Sequence, residues 1–184
     1  MAVSSSMLPL GTPLPRFALL DVTSGRTVDA SELEGRIAVV AFLCNHCPYV
    51  KHIRSGLVAL GARAEAVGAR MVGICSNDPT THPEDGPEAM AEEARRVGYP
   101  FPYLHDATQA VARAFDAACT PEVYVFDRSG RLSYRGRLDD STPKNDRPVT
   151  AADVLAALDA LSRGETPSPD QHPSIGCSIK WRQG

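Results

Sequence analysis

The chain has no long apolar run, no strong excess of either charge, and few cysteines or aromatic residues. No stretch approaches the roughly 20 consecutive apolar residues that a membrane-spanning helix needs. The 19 Lys and Arg nearly balance the 22 Asp and Glu, leaving a formal net charge of −3 over 184 residues. That balance gives no broad pull toward nucleic acid or anionic lipid, so neither is an expected partner. The opening "MAVSSSMLPLGTPLPRF" has no basic n-region, and Pro9, Pro13 and Pro15 interrupt its apolar residues. No signal peptide is therefore expected, and the default compartment is cytoplasmic. Five cysteines (Cys44, Cys47, Cys75, Cys119 and Cys177) are too sparse and odd in number for a disulfide scaffold. No internal repeat is present.

With 43% hydrophobic and 22% charged residues, the chain suits one globular domain with a full core. Residues 1–12 read as an N-terminal arm, 13–161 as the domain, and 162–184 as a tail whose apolar end "SIGCSIKW" docks. "RFALLD" and "GRTV" read as short strands, and Ser31 with Glu34 as a capping box. "RIAVVAFL" (36–43) is continuously apolar after Arg36, as expected of a strand buried on both faces. Apolar residues at Val50, Ile53, Leu57, Leu60, Ala64 and Val67 predict one helix, with Pro48 in its first turn and Gly68 as its stop. Further strands are expected at 69–76, 101–104, 122–127 and 131–136, the last two forming a hairpin around "RSG". Helices are expected at 87–98, 108–117 and from Thr150, capped by Thr150 and Asp153. "NDPTTHPEDGPE" (77–88) reads as a polar loop. Alternating strands and helices followed by an antiparallel edge predict an α/β sandwich around a mixed sheet.

The chemistry concentrates at "VAFLCNHCPY" (40–49), where Cys44 and Cys47 follow the buried strand and precede a helix. Backbone N–H groups and the helix dipole favour a thiolate there, expected on Cys44. Cys47 lies one turn on, where it can resolve a mixed disulfide. Between them Asn45 and His46 are expected to tune the pair, a protonated His46 by adding positive charge. Zinc is the competing reading, but tetrahedral sites need four ligands and no second Cys-x-x-Cys exists. His172 and Cys177 would complete one only if the tail folded over the pair, so no metal is expected.

"VVAFLCNHCPYVKHI" and "CTPEVYVFD" (119–127) together resemble the thioredoxin-like superfamily, and the long N-terminal segment resembles its redoxin, or alkyl-hydroperoxide-reductase, branch. The resemblance covers about residues 13–161 and implies a three-layer sandwich with a central mixed sheet flanked by helices, an N-terminal strand extension and a C-terminal tail. It implies a cis peptide at Thr120-Pro121, in a loop facing the cysteines and binding extended substrate backbone. Cys119 then falls near the pair as an auxiliary thiol or a buried packing residue. The family's buried Asp, six residues before the first cysteine, is replaced by Ala38. The implied activity is thiol–disulfide exchange with protein disulfide or dithiol partners, needing no bound cofactor because electrons come from another dithiol. Peroxiredoxins share the fold and carry Thr-x-x-Cys-Pro, which would make Cys47 the peroxide-reactive thiol. A non-catalytic binding module using the groove beside Pro121 is the third reading. Cys75 and Cys177 read as packing, Trp181 and Ile179 as tail anchors, and His82, His105 and His172 as surface or loop residues.

Overall fold

A computed structural model describes residues 2–183; residues 1 and 184, the extremes of the expected arm and tail, lie outside it. In chain order its strands and helices begin with β1 (Ala2–Ser4), β2 (Ala18–Asp21), β3 (Thr27–Asp29) and β4 (Ala38–Phe42). Then come α1 (Pro48–His52), α2 (Arg54–Ala66), β5 (Arg70–Cys75), α3 (Pro87–Val97), β6 (Tyr103–His105) and α4 (Ala110–Ala114). The chain continues through β7 (Cys119–Thr120), β8 (Glu122–Phe126), β9 (Leu132–Gly136), α5 (Ala152–Ser162) and β10 (Ile175–Ser178). Seven strands form the main sheet in the order β3-β2-β6-β5-β4-β8-β9. Strands β4, β5 and β6 run parallel, and β8 pairs antiparallel with β4.

Strand β4 shows why the sheet is central. All five of its residues are at most 1% exposed, and alternate side chains enter opposite layers. Val39 and Ala41 pack with Leu57 and Leu60 of α2 and Val154 and Leu158 of α5. Val40 and Phe42 pack with Leu33, Val111 and Phe115 on the other face. Phe42 meets the rings of Phe115 and Tyr124 edge-on at 5.3 and 5.9 Å. Burying each such side chain contributes about 1.5–3 kcal/mol. The expected three-layer sandwich is the fold of this chain.

Local details depart from the sequence reading in three places. The capping box is Asp29 with Glu32, not Ser31 with Glu34, because the helical turn starts one residue after β3. The long helix after the cysteines breaks at Ile53, where the N–H bonds the Val50 carbonyl three residues back rather than four. Helix α5 begins at Ala152; Thr150 Oγ1 accepts from the Ala152 N–H at 3.3 Å, but Asp153 pairs with Arg137 Nε at 2.6 Å instead of capping.

The arm and tail are joined. Strand β10 lies between β1 and β7 in a separate three-stranded antiparallel sheet. Its register sets Cys177 opposite Ala2 on one side and Thr120 on the other. Gly176 is required there, since a Cβ would stand 2.0 Å from the Thr120 carbonyl oxygen.

Candidate active site

Pro48 opens α1 and Cys47 is its N-cap. Of the N–H groups in the first helical turn, that of Val50 faces the Cys47 sulfur, three residues beyond the position expected for the thiolate. The Cys47 sulfur is lowered to about 5 chiefly by hydrogen bonding from the Cys44 thiol, which outweighs burial; the Cys177 thiol and the Val50 and Cys177 N–H groups add to the effect. Cys44 is held well above the ordinary thiol range because it shares its proton with Cys47, is buried, and faces the Asp85 carboxylate. The Cys44 thiol, expected to be depressed, is raised instead by its bond with Cys47, by burial and by Asp85.

Thr120-Pro121 is cis, as expected, and faces the pair. Thr120 Oγ1 shares a hydrogen bond with Cys44 Sγ at 3.0 Å, and the Thr120 carbonyl oxygen lies 3.3 Å from Cys47 Sγ. The backbone edge at Thr120, expected to receive substrate, is occupied by β10 of the same chain. Cys177, read from sequence as packing, stands with its sulfur 2.9 Å from Cys47 Sγ.

Asp85 was not singled out by the sequence. It comes from the polar loop before α3, is fully buried, and gathers the motif around itself. One carboxylate oxygen accepts from the Asn45 and His46 N–H groups at 2.7 and 3.3 Å. The other accepts from Asn77 Nδ2 at 2.8 Å and from His46 Nδ1 at 2.5 Å. Burial alone would raise its carboxyl, but bonds from His46 and Asn77, the His46 charge and the Asn45 N–H bring it below the usual range. An ionised carboxylate can only accept, so Nδ1 of His46 carries its proton toward Asp85. His46 is thus committed to Asp85, and its ring also lies 4.5 Å from that of His82. Asn45 is fixed by Glu84 and Tyr103, whose hydroxyl donates to its side-chain oxygen at 3.2 Å.

Cys44 Sγ, a ring nitrogen of His46 and an Asp85 oxygen lie within 4.8 Å of one another, a spacing open to a metal ion. The Asp85 oxygens already take four N–H donors, so the cluster works as a hydrogen-bonded network. Cys177 reaches the pair, but His172 lies instead in a surface pocket with Tyr134 and Asp153. Cys119 is fully buried, and its sulfur contacts the Pro121 carbonyl and Glu122 Oε2 at 3.8 and 3.9 Å. Burial and then the Glu122 charge raise its thiol. Cys75 is likewise buried and raised. His105 sits half-buried on β6 rather than at the surface, and burial lowers it. Ile179 is buried, but Trp181 is 38% exposed, with the Arg113 guanidinium 4.6 Å above its ring.

The AhpC/TSA family model matches residues 10–135. The chain belongs to the AhpC/TSA family. A crystal structure of an uncharacterized conserved protein from Geobacillus kaustophilus is 50% identical, with a TM-score of 0.98, covering 100% of this chain and 98% of that one. A hypothetical protein from Sinorhizobium meliloti 1021 is 41% identical, with a TM-score of 0.95 and coverage of 98% and 99%. A thiol:disulfide interchange protein of the thioredoxin family from Chlorobium tepidum TLS shares the fold at 20% identity, with a TM-score of 0.64 and coverage of 84% and 99%. Among the curated proteins none matches.

Proposed function

We propose that this AhpC/TSA protein is a thiol–disulfide oxidoreductase in which Cys44 and Cys47 cycle between dithiol and disulfide. The observation that supports the reading is the placing of both sulfurs against the cis Thr120-Pro121 turn, with Thr120 Oγ1 3.0 Å from Cys44 Sγ and the Thr120 carbonyl oxygen 3.3 Å from Cys47 Sγ. The Cys47 thiolate attacks a disulfide sulfur that reaches it, forming a mixed disulfide and releasing one thiolate. Cys44 then attacks the Cys47 sulfur, its proton passes to the second departing thiolate, and the Cys44–Cys47 disulfide closes. Asn45 and His46 act by holding Asp85, and Thr120 orients Cys44 through its hydroxyl. The electron donor in this proposal is another dithiol, and the working compartment is the cytoplasm, whose reducing pool would regenerate the pair.

A second reading, thiol peroxidase, is favoured by one specific feature. The low-lying Cys47 sulfur sits at the helix N-cap immediately before Pro48. Insulin reduction and peroxide consumption, measured side by side with dithiothreitol as donor, separate the two. Oxidoreductase function predicts dithiothreitol-dependent insulin precipitation that Cys44→Ser and Cys47→Ser both abolish. Peroxide turnover without disulfide reduction would overturn it in favour of the peroxidase.

No helix among the described residues is long and apolar enough to cross a membrane.

A further inference from the structure

The two thiols of the motif are almost sealed from solvent: Cys44 is 1% exposed and Cys47 is not exposed at all. The edge through which an extended substrate would approach is already filled by β10, itself held on its far side by β1. An exchange centre built this way needs another way in. The half-buried thiol touching Cys47 belongs to that same strand.

We propose that Cys177 is the entry thiol of the site, exchanging with external disulfides and passing the oxidation inward to Cys47 and Cys44. This rests on the thiol–disulfide reading above. The 2.9 Å between the Cys177 and Cys47 sulfurs needs only about 1 Å of closure to reach a disulfide bond length of about 2.0 Å. The sequence of steps balances without any further reactant. Cys177 attacks an external disulfide as its proton moves to the adjoining Cys47 thiolate; one external thiolate leaves and takes up that proton. Cys47 attacks the Cys177 sulfur, expelling the second external thiolate and forming a Cys47–Cys177 disulfide. Cys44 attacks Cys47, Cys177 departs as the leaving sulfur, and the Cys44 proton returns to it. The net change is one external disulfide reduced to two thiols and one Cys44–Cys47 disulfide formed. The pairing of β10 with β7 and β1 holds Cys177 beside Cys47.

Glutathione disulfide is the probe. Reduced protein is mixed with it, quenched by alkylation at intervals, and mapped by peptide mass. In the parent, the Cys44–Cys47 disulfide accumulates; in Cys177→Ser its rate of formation falls about tenfold or more, while its equilibrium against dithiothreitol stays unchanged, because serine keeps the hydrogen bond but cannot exchange. In Cys47→Ser, incubated at about pH 9 because the thiolate that accepts the Cys177 proton is gone, the glutathione adduct accumulates on Cys177. An unchanged rate in Cys177→Ser, or an adduct on Cys44 with Cys177 unmodified, overturns the proposal. A parent that never forms the Cys44–Cys47 disulfide defeats the oxidoreductase reading instead; the adduct map in Cys47→Ser, which retains the native Cys177, still decides whether Cys177 is the entry thiol.

Discussion

Replacing Asp85 by Asn removes one charge from the centre of the site while keeping its shape. The carboxylate lies within 4.8 Å of Cys44 Sγ, and no part of Asp85 is exposed to solvent. Two unit charges at that separation repel by about 3 kcal/mol at an effective dielectric constant of about 20. The His46 ring, bonded to the same carboxylate, offsets part of this, so about 1–3 kcal/mol of repulsion is relieved when Cys44 ionises. The Cys44 thiolate fraction below its titration midpoint should rise about five- to a hundredfold. The direction is fixed: losing a nearby negative charge favours the thiolate. Alkylation rates of Cys44 and Cys47, read by peptide mass across a pH series, provide the assay. Asp85→Asn should bring the two profiles closer together and make the disulfide more oxidising, because the reduced form is stabilised. The substitution also weakens charge-assisted bonds from His46 and Asn77, each worth about 1.5–3 kcal/mol, so a lower melting temperature is expected. An unchanged Cys44 profile in a folded Asp85→Asn protein would refute the electrostatic account.

Between about pH 6 and pH 8 stability should rise through Cys47, whose folded value near 5 lies below that of a free thiol, so the unfolded chain binds more protons in this window and the stabilisation is lost as pH falls toward 5. At higher pH the Cys44, Cys75, Cys119 and Cys177 thiols, all held above the free value, reverse the trend. Urea unfolding of the reduced protein should show this rise, and Cys47→Ser should flatten it. Gly176→Ala places a methyl group against the Thr120 carbonyl, lifting β10 from β7 at a cost of about 1–3 kcal/mol. Thermal melting and faster alkylation of Cys177 would register it, and unchanged values would contradict the close approach. Cys119→Ser should leave cycling of the pair intact, since its sulfur contacts Pro121 and Glu122; a large loss of insulin reduction would return Cys119 to the chemistry.

Much of this arrangement is legible in the sequence because it is local. The unbroken apolar run 37–43 announces a strand covered on both faces, and the Cys-x-x-Cys and Pro48 mark where strand gives way to helix. Thr120-Pro121 before a strand points to the loop opposite. Two things escape because they depend on distant pairing. Asp85 sits among the acidic and proline residues of an ordinary-looking loop, and only the fold brings it under Asn45 and His46, 40 and 39 residues away. Cys177 is 130 residues from Cys47, joined by strand pairing that no periodicity reveals. Gly176 was the available signal, a glycine beside a cysteine in a short apolar tail, consistent with close backbone approach. The expected depression of Cys44 misses the Asp85 carboxylate and the burial that oppose it, neither of which the motif shows.

The central claim is that Cys44 and Cys47 form one reversible redox pair. A redox titration in mixtures of reduced and oxidised dithiothreitol, quenched with acid and mapped by peptide mass, tests it most directly. The account predicts a single two-electron transition in which the Cys44–Cys47 disulfide replaces the two thiols, with Cys75 and Cys119 reduced throughout. Persistence of free Cys44 and Cys47 at every dithiothreitol ratio, under conditions where a control dithiol protein is fully oxidised, would contradict it.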